Sequence, residues 1–176
     1  MNQLILLGDT KRYVYNAEFG VGPVKLPHEE LPELSEAEAI EMLKIHAASC
    51  EDDADERMHT GFMFSLYAWN GKLNPENFKQ VMACIKSLGP SWSSGSITTG
   101  AMADLWDIIY HGNFYLHDPS RIQRRKEELA PDEWDVEEEW LDCIGWAVMA
   151  FLHSKNAEEA FRPYDAHIAK QKALKH

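Results

Sequence analysis

Three features of the 176-residue sequence predict a mostly α single domain, a bundle of six or seven helices with a small N-terminal β-hairpin. Apolar residues recur at helical spacing in several windows, helix-capping signatures precede most of those windows, and strand-like alternation is confined to the first 25 residues. The length fits one domain of roughly 100 to 200 residues. With 45% hydrophobic residues and six Trp, the chain has enough apolar material to fold around a core rather than remain extended. The predicted organisation is a β element over 1–25, a helical core over 35–155, and a peripheral C-terminal helix over 156–176, the last liable to fray.

At the N-terminus, Leu4–Leu7 and Tyr13–Tyr15 flank Gly8-Asp9-Thr10-Lys11, a hairpin pattern. No phosphate-loop or dinucleotide fingerprint follows it. Ser35-Glu36-Ala37-Glu38 is a capping box and opens a helix whose buried stripe is Ile40, Leu43 and Ala47. A second helix is expected over about 55–69, apolar along Met58, Phe62, Leu66 and Trp69. Asn74-Pro75 caps a third, lined by Phe78, Val81, Met82, Ile85 and Leu88 and stopped by Gly89-Pro90. The Ser-, Thr- and Gly-rich stretch 91–100 is expected to be a loop anchored by Trp92 and Ile97. A helix over about 100–111 closes at Gly112, with Asn113–His117 extended. Asp118-Pro119 caps a short basic helix carrying Arg121, Arg124, Arg125 and Lys126. Asp132–His153 forms the central helix, acidic at its start and, from Cys143 to Leu152, apolar on every side and so expected to be buried in the domain centre. Asn156 caps the last helix, which Pro163 is expected to break or kink.

The block Phe62-Met63-Phe64-Ser65-Leu66-Tyr67-Ala68-Trp69-Asn70 loosely resembles one in bacterial accessory-genome proteins. It is short and apolar, and it implies neither a site nor an activity.

Charge gives the strongest functional indication. The chain carries a net charge of -12, and its acids are clustered. Residues 29–56 hold eleven acids against Lys44 alone, and 127–142 hold nine acids and no base, leaving the rest of the chain net basic. Acidic blocks of this kind repel nucleic-acid backbones and steer towards basic proteins. They weigh against the alternative of direct DNA reading by the 58–88 helix pair, where Lys72, Lys79 and Lys86 are the basic residues of the second helix and its approach. The first apolar run is too short for a secretory signal, and the longest is about half of a bilayer span. Cys50, Cys84 and Cys143 show no disulfide or zinc spacing, so a reducing cytoplasm is the expected location.

The function expected from these features is a non-enzymatic acidic binding protein that occupies a basic surface of a partner, such as a nucleic-acid-binding protein. A phage or plasmid anti-defence inhibitor and a toxin-immunity protein are its two natural settings. The predicted binding residues are Asp132, Glu133, Trp134, Asp135, Glu137, Glu138 and Trp140, with Asp52, Asp53 and Asp55. The acids would steer, and Trp134 or Trp140 would dock. No cofactor, membrane or direct nucleic-acid contact is expected.

The competing enzymatic reading is a Mg²⁺-dependent nucleotide or phosphoester hydrolase. It would place Glu38, Glu41, Glu139 and Asp142 on the metal, because carboxylates three apart share a helix face. Solvated helix faces explain both pairs more simply. Glu56-x-x-His59 is half of a di-iron helix motif, and no second copy exists. His111, His117 and Asp118 lack a visible nucleophile, Cys84 and Cys143 sit in apolar helices, and Ser91–Ser96 lack a nucleophile elbow. A structural or oligomeric role is the third reading, with Trp92, Trp106 or Phe114 at an interface.

Overall fold

The computed structural model describes residues 26–52, 55–67, 74–119, 131–153 and 156–174, with backbone alone for residues 67 and 131–134. The protein is mostly helical, and no strand occurs among the described residues. The predicted N-terminal hairpin, the basic helix after Asp118-Pro119, and Trp69 lie outside them.

A 3-10 turn, Pro27–Glu30, leads to α1 (Glu36–Ala47). As its capping box predicts, the Glu38 amide donates to Ser35 Oγ at 3.3 Å and the Ser35 amide to Glu38 Oε2 at 2.8 Å. Ala48, left-handed at φ 57, closes the helix.

The second predicted helix is broken in two, a 3-10 turn at Glu56–Thr60 and α2 at Phe62–Tyr67. Gly61 sits between them, and a Cβ there would overlap the Ile45 carbonyl of α1. The Phe62 amide donates to His46 Nδ1 at 3.1 Å rather than to a helical carbonyl. Close approach to α1 therefore interrupts a pattern that is helical by composition.

α3 (Pro75–Ser87) starts where Asn74 predicts, with the Glu76 amide donating to Asn74 Oδ1 at 3.2 Å. Phe78, Val81, Met82, Ile85 and Leu88 are all buried. Gly89-Pro90 ends α3 but also opens α4 (Gly89–Ser94), so the expected loop is half helix. Proline in a first turn forfeits no hydrogen bond. Trp92 is the expected anchor, buried and stacked on Phe151 with ring centroids 6.1 Å apart.

α5 (Thr99–His117) runs through Gly112 instead of stopping there, and Asn113–His117 is helical. Gly112 is a packing glycine: a Cβ would come within 2.8 Å of Leu141 Cδ2 on α6 (Pro131–Leu152). Near the start of α5 the buried Asp104 accepts the Ser49 hydroxyl at 2.5 Å, tying this helix to the end of α1. Burial pushes its carboxyl above the ordinary range.

α7 (Ala157–Ala173) begins on Asn156, whose side chain accepts from the Glu159 amide at 2.9 Å. Ala160, Phe161, Tyr164 and His167 are buried, so the C-terminal helix is part of the core. Pro163 lies inside this helix without ending it. Proline has no N–H for the carbonyl four residues back, here Glu159. That carbonyl instead accepts the Trp146 indole N–H at 3.0 Å. Arg162 lies over the same indole, 5.3 Å from the ring centroid.

The helices pack α1 against α3 and α5, α5 against α6, and α6 against α7. Phe78 sits at the meeting point, stacked on Trp140 of α6 at 5.2 Å and close to Tyr164 and His167 of α7. The 3-10 turn at Pro27–Glu30 is pinned to α7 by Asp165, which accepts from both the backbone amide and the ring of His28 at 2.7 Å. The His28 ring stacks on Phe161.

Candidate interaction surface

α6 spans 22 residues, about 33 Å at 1.5 Å per residue, and its two halves share one register. Leu141, Ile144, Ala147, Val148 and Phe151 form its buried face. Asp135, Glu138 and Asp142 recur three to four residues apart and are exposed. The same outward stripe continues into Trp146, Met149 and Leu152, which are 42%, 51% and 51% exposed. An acidic half-face thus passes directly into an apolar one.

The flank of α6 next to α7 is differently employed. Trp140 Nε1 donates to His167 Nε2 at 3.2 Å, and His167 Nδ1 lies 2.8 Å from Glu139 Oε2. An indole N–H can only donate, so Nε2 must accept and the His167 proton resides on Nδ1, facing the carboxylate. Lys170 Nζ completes the chain at 2.6 Å from Glu139 Oε1. The Lys170 hydrogen bond, helped by that from His167, holds the Glu139 carboxyl below its ordinary range.

Among the proposed binding residues, Asp135, Glu138 and Asp52 are exposed, while Glu137 and Trp140 are buried. Trp140 is 5% exposed and packs into the core, so it cannot be the docking anchor inferred from its acidic neighbours. Its partner is an inward-turned His167, a residue whose polarity hides its role as a core member. Asp55 is a local clamp. It caps the turn at Glu56–Thr60 and binds Arg57 Nη2 at 2.6 Å through Oδ2, which draws its carboxyl down to about 2, and the same Arg57 reaches Glu41. Asp53 and the side chains of Asp132, Glu133 and Trp134 lie outside the described residues.

The four carboxylates of the hydrolase reading are not brought together. Glu38 turns back to its own cap, Glu41 pairs with Arg57, Glu139 pairs with His167 and Lys170, and Asp142 faces solvent. Among the described residues no group of three or more His, Cys, Asp or Glu is arranged to hold a metal ion. His59 rests against Phe64, with ring centroids 4.7 Å apart. Burial pushes the Cys84 and Cys143 thiols up to about 12, the opposite of what a nucleophile requires. Ser93 and Ser94 donate their hydroxyls to the Gly89 and Pro90 carbonyls of α4.

The feature that charge counting underweights is on α5. Trp106, Tyr110 and Phe114 stand four apart and are 62%, 54% and 57% exposed, with Trp106 and Tyr110 stacked at 5.9 Å. With Ile109, Asn113 and Pro119 they line a groove of about 570 Å³. Gly112 against Leu141 and Ile109 beside Gly145 set an antiparallel register between α5 and α6. That register places Trp106 level with Ala147–Val148, and Asp142 level with His111–Gly112. Tyr110 and Phe114 stand two positions either side of Gly112, so they lie on the side of α5 turned away from α6. The i, i+4 spacing is legible in the sequence, but a window with apolar residues on most sides does not say which of them face out.

No family model matches the chain, and no match was found among the curated proteins or the solved structures. No helix among the described residues is long and apolar enough to cross a membrane.

Proposed function

We propose that the protein is a non-enzymatic acidic binding protein that occupies a basic surface of a partner protein. The observation that supports this most is the outward face of α6, where Asp135, Glu138 and Asp142 stand in solvent at helical spacing and lead into exposed apolar residues. Clustered charge raises the rate of encounter, and adjacent apolar area supplies the contact that then holds. Inhibition of a nucleic-acid-binding protein, as by an anti-defence or immunity protein, suits a chain of net charge -12.

The test is affinity capture from a native host lysate at low and high salt, with wild type beside Asp135→Asn/Glu138→Gln/Asp142→Asn. The wild type is expected to retain a basic protein that is lost at high salt and lost by the variant. If wild type and variant retain the same proteins with the same salt dependence, the reading is wrong.

A structural or oligomeric role is favoured by a different observation, the exposure of Trp106, Tyr110 and Phe114 on one helix. Sedimentation at several concentrations decides it, since a monomer throughout removes self-assembly.

A further inference from the structure

The turn at Pro27–Glu30 and the residues that follow it run from α7 to α3 and border a small cavity. This segment is held at both ends. His28 is bound to Asp165 of α7, and the Leu31 carbonyl accepts Lys86 Nζ of α3 at 3.1 Å. Between the two anchors it meets side chains of α3 and α7 around a volume of about 240 Å³. We infer that this cavity binds a free α-amino acid of glutamine's size, its ammonium and carboxylate held by the acids and lysines of the rim and its side-chain tip accepting from the Tyr164 hydroxyl. The cavity shares no residue with the outward face of α6, so the inference goes beyond the acidic-binding reading and is tested apart from it.

The floor is the first argument. Tyr164 is 3% exposed, its ring set against Phe78 and Phe161. Its hydroxyl makes no hydrogen bond among the described residues and is not sealed off, so it opens into the cavity that the residue lines. A ligand that displaces water from this cavity must pair with the hydroxyl or leave it buried without a partner, so the site selects an acceptor at that depth. Burial pushes the hydroxyl up to about 12, with Asp165 and Glu30 adding to the effect, and at neutral pH it keeps its proton to donate.

The rim is the second. Lys79 stands 3.7 Å from Glu76, and Lys172 stands 3.6 Å from Glu30. Both separations exceed hydrogen-bond length, so each ammonium keeps donors, and each carboxylate acceptors, for a third group. The rim thus carries charges of both signs in balance. A ligand of one sign would meet like charge in the same ring, whereas a zwitterion matches both. Leu31, Pro32 and Ile168 supply an apolar wall for the stem of its side chain. The volume is smaller than a drug-sized site and suits a single amino acid.

Glutamine, glutarate and 1,5-diaminopentane test this by calorimetric titration, because they share a chain length and differ in charge. Glutamine is expected to bind saturably and the other two not to bind. Glutamine should shift the amide resonances of Lys79, Gln80, Ile168 and Lys172 and leave those of Asp135 and Glu138 in place. Tyr164→Phe keeps the ring and removes a hydroxyl that no other residue uses. Its melting temperature should be unchanged while its affinity for glutamine falls about fivefold.

Failure of glutamine to bind, equal or tighter binding of glutarate or the diamine, or an affinity untouched by Tyr164→Phe would overturn the inference. So would resonance shifts confined to other parts of the chain. A lower melting temperature for Tyr164→Phe would give the hydroxyl a structural partner and lead to the same conclusion. None of these results bears on lysate capture by the acid-neutralised α6 variant, so the two readings fail separately.

Discussion

His46 shows how one residue's environment becomes a property of the whole fold. It is 2% exposed, and its Nδ1 accepts from the Phe62 amide, so the ring must stay neutral with its proton on Nε2. Burial pulls its pKa from 6.5 to about 4, an effect that the Gln80 side chain only partly opposes. The unfolded chain takes up this proton first as pH falls, so the stabilisation is complete above 6.5 and is lost as pH drops towards about 4. Between about pH 7 and about pH 5 this group alone should remove about 2 kcal/mol. His46→Gln keeps an acceptor for the Phe62 amide and cannot titrate. Urea unfolding of the variant should lose that much less stability over the same interval, and an identical pH dependence in both proteins would exclude His46 as the source. The neighbouring Gly61 matters for a different reason, since any side chain there would strike the Ile45 carbonyl.

At the scale of elements, α5 and α7 both continue past residues that ordinarily stop a helix. Gly112 is tolerated because the missing Cβ admits Leu141, so its helix-breaking tendency is offset by contact with α6. Pro163 is tolerated because Trp146 supplies the donor that the ring removes. The second compensation is measurable by a double-mutant cycle. Trp146→Phe keeps a ring beneath Arg162 but removes the N–H, and it should cost about 1 kcal/mol. In a Pro163→Ala background the backbone amide restored at that position can close the helical bond to Glu159, so the same change should cost clearly less. Equal costs in the two backgrounds would show that the indole bond does not compensate for the proline.

Over the whole molecule, acidic charge is far in excess while the ion pairs described are local. Asp55–Arg57–Glu41 and Glu139–Lys170 join neighbouring parts of the surface and leave Asp135, Glu138 and Asp142 outward. Exposed pairs contribute little, and repulsion among a net -12 opposes compaction. Added salt screens charges farther apart than about 10 Å at 0.1 M, so it should relieve the repulsion more than it weakens the pairs. The melting temperature is therefore expected to rise between about 0.01 M and about 0.2 M NaCl. A fall would mean that the surface pairs outweigh the self-repulsion.

Local chemistry alone determined a great deal: the helical class, the caps at Ser35, Asn74 and Asn156, and the buried face of α3, whereas the second half of α6, apolar on every side, leaves Trp146, Met149 and Leu152 exposed rather than buried. Each feature so determined depends on residues within a few positions of one another, where spacing and side-chain type act directly. Only the tertiary structure decided that Gly61 breaks a helix while Gly112 and Pro163 do not, because the deciding contacts come from Ile45, Leu141 and Trp146 far along the chain. It also decided that Trp140 belongs to the core while Trp106 and Phe114 face out. Acidic neighbours suggest the reverse for Trp140, but an indole follows the partner that can accept its N–H, and that partner is His167 on another helix.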